Sequence, residues 1–144
     1  MYDHQKDMRS GLTNDAADDL DIALGTAGVM LALPVLGGVP VLVEALFAQV
    51  VTTFDTAATV LTVYRRPTPG SDTGRVTIGT VTIPNAAAAP NVYYKLFTPV
   101  KVSPGEEITV ETDGGTTAGT AILSLRTTPS WEHPSNNTKL IASA

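Results

Sequence analysis

Between Leu20 and Thr127 the apolar residues come in short runs, each closed by Gly, Pro, Asn or Asp, and this punctuation limits the fold more than any other feature. The runs are Asp21 to Leu33, Pro40 to Phe54, Ala57 to Arg66, Gly74 to Pro84, Val92 to Val102, Glu106 to Thr112 and Thr117 to Thr127. They recur at the spacing of strands in a sandwich or barrel. The first two are long enough to hold more than one strand each. Pro34, Gly37, Gly38 and Pro40 supply a turn between them, and Pro67, Pro69, Gly70 and Gly74 form a longer loop before the fourth run. Abundant Thr and Val, stiff at χ1 and suited to a pleated surface, agree with this, as do 12 Gly and 10 Pro. The expectation is an all-β, antiparallel β-sandwich over residues 20–128.

A chain of 144 residues fits one domain, and that size buries enough surface to fold without staples. Residues 1–19 are acidic and poor in large apolar side chains, which marks them as an extended N-terminal arm; a short helix over Asn14 to Leu20 is a minor option there. Residues 129–144 form a short C-terminal tail. The uncharged stretch from Ile22 to Val43 is long enough to cross a bilayer as a helix. Pro34, Pro40 and four glycines break it, and its flanks, Asp21 and Glu44, are acidic, so no membrane span is expected. Asp15, Asp18, Asp19 and Asp21 stand where a secretory signal would be basic.

Alternation of period two shows in the second half. Ile108 and Val110 share one face, leaving Glu107, Thr109 and Glu111 to solvent. Val92, Tyr94, Leu96, Val100 and Val102 likewise fall together, which sets Tyr93 and Phe97 among lysines on the opposite, polar face. The apolar phase slips by one residue at Gly79-Thr80, the mark of a β-bulge that could let one strand serve two sheets. Val39 to Val51 lacks alternation, so it reads as a strand buried on both faces whose second face is covered either by its own chain or by another subunit.

The residue types exclude much chemistry. Without cysteine there is no thiol nucleophile, Cys-based zinc site or disulfide. A net charge of −5 opposes nucleic-acid binding, and the Arg65-Arg66 pair reads as a solvated strand end. His4 and His133 lie in the two tails, leaving no imidazole on the scaffold to act as a general base. Glu106, Glu107, Glu111 and Asp113 read as a solvated face rather than paired catalytic carboxylates, and the N-terminal aspartates lack the spacing of a calcium loop. Thr112 to Thr116 reads as a turn with glycine at positive φ. No catalytic, metal or cofactor residue is therefore expected. The candidate interface residues are Val39, Val41, Val43, Leu46 and Phe47 from the unalternating run, the two aromatics Tyr93 and Phe97, and Trp131 beyond the last strand.

Three segments carry a family resemblance: Gly79 to Pro84, Val92-Tyr93-Tyr94, and Pro99 to Val110 with its V-x-V-S-P-G-E-x-I-x-V turn, a turn common to jelly rolls. Over residues 58–127 the chain resembles the small β-sandwich auxiliary head proteins of tailed bacteriophages, called decoration or cement proteins. The resemblance implies a jelly-roll-like domain on the outside of a virion capsid, associated as a homo-oligomer, with a trimer favoured. Its partner would be the major capsid protein, reached partly through the terminal arms. A phage tail, baseplate or fibre component, or a carbohydrate- or receptor-binding module, is the alternative expectation.

Overall fold

The computed structural model describes residues 22–130, and every regular element in them is a strand. These are β1 (Ile22–Ala23), β2 (Gly28–Pro34), β3 (Val41–Thr52), β4 (Thr59–Arg66), β5 (Val76–Ile83), β6 (Val92–Val102), β7 (Glu107–Thr112) and β8 (Thr120–Pro129). The expected arm, its short helix and aspartate cluster, and Trp131 with the rest of the tail lie outside the described residues. The run Asp21 to Leu33 does hold two strands, whereas Pro40 to Phe54 holds one long strand. Among the described residues no helix is long and apolar enough to cross a membrane, and the uncharged stretch is divided among β1, β2 and the start of β3.

The strands form two antiparallel four-stranded sheets, in a β-sandwich-like arrangement. Sheet A has the order β1-β8-β3-β6 and sheet B the order β2-β7-β4-β5. Only β4 and β5 are both consecutive in the chain and paired. Thr112 to Thr116 therefore does not close a hairpin: it leads from β7 in sheet B towards β8 in sheet A. Between β6 and β7 the sequence Ser103-Pro104-Gly105-Glu106 makes a tight turn, with Gly105 at φ 89° and the Glu106 N–H donating to the Ser103 carbonyl at 3.0 Å. Pro followed by a positive-φ Gly is the signature of a type II turn.

The inner faces of both sheets bury Val41, Val43, Leu46 and Val50 of β3, Leu61 and Val63 of β4, Ile108 and Val110 of β7, and Leu123 and Leu125 of β8. Each such side chain contributes roughly 1.5–3 kcal/mol by leaving water. At the edge where β5 nears β6 the sheets approach closely, and the Phe97 ring fills the space beside Gly79. The bulge of β5 falls here, since Val63 pairs with Gly79 but Tyr64 with Thr77. It is within two residues of the expected phase slip, but β5 stays in sheet B and does not serve both sheets.

Three expectations about faces are corrected. In β3 a register shift between Val43 and Ala45 restores alternation: Val41, Val43, Leu46, Ala48 and Val50 point inward, while Leu42, Glu44, Phe47, Gln49 and Val51 are half-buried or exposed. The strand is not buried on both faces. In β6 the register jumps from Val100 to Leu96 as β3 moves from Val43 to Ala45, and the extra residues around Pro99 reverse the phase. Phe97 is consequently buried and Tyr93 packs against the core, whereas Val92, Tyr94 and Leu96 are exposed. In β7 the face assigned to solvent is largely closed, because Glu107 and Thr109 are buried.

Candidate interaction surface

The outer faces of the two sheets differ in kind. On sheet B, Arg66 and Glu107 are register partners across β4 and β7, joined by a 3.1 Å hydrogen bond from Nη1 to Oε1. The β4–β5 loop folds over them: Gly70 N–H also donates to Glu107 Oε1 at 3.1 Å, and Asp72 meets Arg66 at 2.8 Å. Arg75 completes the cover, 2.7 Å from Glu111 and 3.9 Å from the centre of the Tyr64 ring, in cation–π geometry. Burial lowers the pKa of the Arg66 guanidinium, but the hydrogen bonds and charges of Glu107 and Asp72 outweigh it, so the net shift is upward. Arg66 is thus buried and paired, not the solvated strand end expected from its sequence. Glu107 and Glu111 are committed to arginines.

On sheet A the outer face carries an exposed apolar patch among polar side chains such as Gln49, Ser124 and Arg126. The Val50 N–H donates to the Asn91 carbonyl at 2.9 Å, and the register runs on through Gln49–Val92, Ala48–Tyr93 and Phe47–Tyr94. Side chains of directly opposed residues share a face. Phe47 therefore meets Tyr94 outside the core, the rings stacked with centroids 5.4 Å apart. In this pair Tyr94 is 59% exposed, and beside it on β6 stand Val92 (50%) and Leu96 (61%), with half-buried Ile122 on β8 opposite Gln49. Towards Pro99 a shallow groove opens, lined by Glu44, Ala45, Leu96, Phe97 and Arg126, with Glu44 and Arg126 3.7 Å apart on its rim. Clustered exposed apolar side chains with a polar rim are the usual marks of an interaction site.

One end of the molecule is held by a carboxylate clasp. Asp55, in the β3–β4 connection, accepts at Oδ1 from the Thr117 hydroxyl (2.8 Å), the Thr116 hydroxyl (3.1 Å) and the N–H groups of Thr117 and Ala118 (both 3.0 Å). These bonds, the Thr117 hydroxyl first, lower its pKa from 3.8 to about 2. All four donors come from the β7–β8 connection, so the clasp ties two crossovers together over the buried ring of Phe54. Its donors are spent within the protein, which gives it a structural task.

The expected interface residues are dispersed by this geometry. Val41, Val43 and Leu46 are core residues with at most 1% exposure, Phe97 and Tyr93 face inward, and Val39 is half-buried in the β2–β3 connection. Phe47 alone reaches the open face, and Trp131 is outside the described residues. Sequence reasoning missed Tyr94, Leu96 and Val92. Their signal was Pro99, which lacks an N–H and within a sheet marks an edge strand or a bulge. Among the described residues no cluster of three His, Asp or Glu side chains could hold a metal ion. Compared with known protein families, characterised proteins and solved structures, the chain matches none.

Proposed function

We propose that the chain is a non-catalytic assembly protein of jelly-roll topology, which docks through the open face of sheet A on the outer capsid of a tailed phage and stabilises the head. The observation that carries this is a contrast between faces: the β4–β7 part of sheet B is covered by its own arginines and glutamates, while sheet A leaves Val92, Tyr94 and Leu96 exposed around a stacked Phe47–Tyr94 pair. The topology supports it too. We read the orders β1-β8-β3-β6 and β2-β7-β4-β5 as two Greek keys, the arrangement of the jelly rolls of viral capsid and lectin domains. The V-S-P-G-E turn, part of one of the three segments that resemble decoration proteins, joins β6 to β7.

An apolar patch contributes a modest free energy per copy, which becomes large when many copies bridge neighbouring subunits of one shell. Such a role needs shape and exposed surface, not an acid, base or cofactor. Purified protein mixed with undecorated capsids is expected to co-sediment with them, and Leu96→Ser to weaken that binding at least tenfold. Failure of the unaltered protein to bind would remove the proposal. Electron microscopy of the virion separates head from tail, baseplate or fibre by position.

A carbohydrate-binding role draws on one observation, the exposed ring of Tyr94 on a face that also carries polar Gln49 and the Glu44–Arg126 pair. A glycan array without signal would discard it.

A further inference from the structure

We infer that the free edge of β6 pairs with the β6 of a second copy, antiparallel about a two-fold axis through Tyr94, joining two sheets A into one continuous sheet. Among the described residues β6 is the edge strand of sheet A, flanked only by β3. The bond from Val50 N–H to the Asn91 carbonyl sets the phase of the β3–β6 ladder. In an antiparallel ladder, hydrogen-bonded and non-hydrogen-bonded pairs alternate. Tyr93 and Lys95 therefore turn their backbone groups to β3, and Val92, Tyr94 and Leu96 turn theirs to the open edge. Open, apolar edges of this kind are templates for further pairing.

The segment Val92-Tyr93-Tyr94-Lys95-Leu96 is self-complementary about its centre. With Tyr94 opposite Tyr94 of the second copy, Val92 falls opposite Leu96 and Leu96 opposite Val92, so the exposed apolar side chains of both copies form one ridge. Lys95 falls opposite Tyr93 and not opposite another lysine. Like charges directly opposed would destabilise the pair, and an aromatic ring beside a cation favours it. Pro99 and the register jump beside it confine the pairing to the stretch before the bulge. The contact is isologous and closes at two copies, unlike the trimer expected from the family resemblance. It rests on sheet A being the working face, as proposed above, and would present that face to a partner twice over.

Sedimentation of the full chain over a concentration series is expected to reach twice the 15.0 kDa of one copy. Because the chain has no cysteine, Tyr94→Cys places a single thiol opposite itself, at a Cα separation of about 5.5 Å, within disulfide reach. It is expected to give a reducible covalent dimer. Tyr94→Arg, which opposes two like charges, is expected to be monomeric with an unfolding midpoint close to that of the unaltered protein. Lys95→Glu distinguishes an acidic strand from elsewhere as the occupant: the two-fold pair survives this change, and an acidic strand is repelled. A monomer at every concentration without a Tyr94→Cys dimer overturns the inference, as does a trimer or loss of self-association in Lys95→Glu. A monomer that still binds capsids defeats this inference alone, and a dimer that ignores capsids defeats the functional proposal alone.

Discussion

The ring of Phe97 in β6 lies so close to Gly79 in β5 that a Cβ on the glycine would overlap two ring carbons. The two sheets meet at this edge, and the absence of a side chain sets their separation. Gly79→Ala forces the ring or the strand to move. Overpacking of this kind costs about 1–3 kcal/mol, so the urea midpoint is expected to fall without a change in its slope.

The Arg66–Glu107 pair is buried, and removing Arg66 leaves the Glu107 carboxylate without its counter-charge, held by the Gly70 N–H. Arg66→Ala is expected to destabilise the fold by about 3–5 kcal/mol. Replacing both residues by apolar ones of similar volume, Arg66→Met with Glu107→Leu, should cost less than the single change. Chemical denaturation of the two variants and the unaltered protein checks the order; an Arg66→Ala protein as stable as the unaltered one would mean that the loop over sheet B is not held by this pair.

Asp55 gives the acid stability a defined window. Its folded pKa, about 2, lies below the ordinary 3.8. The native state thus favours the ionised form, and the stability it lends is complete above 3.8 and disappears as pH falls through about 2. Asp55→Asn removes this proton linkage. The thermal midpoint of the variant is expected to depend less on pH between about 4 and 2 than that of the unaltered protein, which a series of melts across that range measures.

Residues that look alike in sequence should separate sharply by face. Leu46→Ala, in the core, is expected to cost about 2–5 kcal/mol. Leu96→Ser, on the open face, should change stability by no more than about 0.5 kcal/mol while weakening association. Equal losses in both would place Leu96 in the core and contradict the β6 register.

The strand content and most strand limits were legible because Gly and Pro stop the chain where local geometry requires it. β6 begins and ends at the expected Val92 and Val102, and the Ser103 to Glu106 turn takes the form its Pro-Gly pair dictates. The candidate surface was not legible, for two physical reasons. A bulge around Pro99 adds residues that alternation cannot count, and each side chain before it changes face, which carried Tyr94 and Leu96 outward and Phe97 inward. Glu107 carries no mark of its burial: the cover comes from Arg66, Gly70 and Asp72 once the β4–β5 loop folds back. Local periodicity describes a strand, but not what lies upon it.

The placement of the last two strands has a consequence for biosynthesis. β7 sits between β2 and β4, and β8 between β1 and β3, so sheet B lacks an interior strand until the chain has been made through Thr112 and sheet A until Pro129. A nascent chain emerging from the ribosome can form the β4–β5 hairpin but neither complete sheet. Folding must then wait for these late strands and be slow, as pairing between distant segments generally is. Until that closure, the strand edges that would receive β7 and β8 stand open to neighbouring chains, which makes synthesis the period of greatest aggregation hazard.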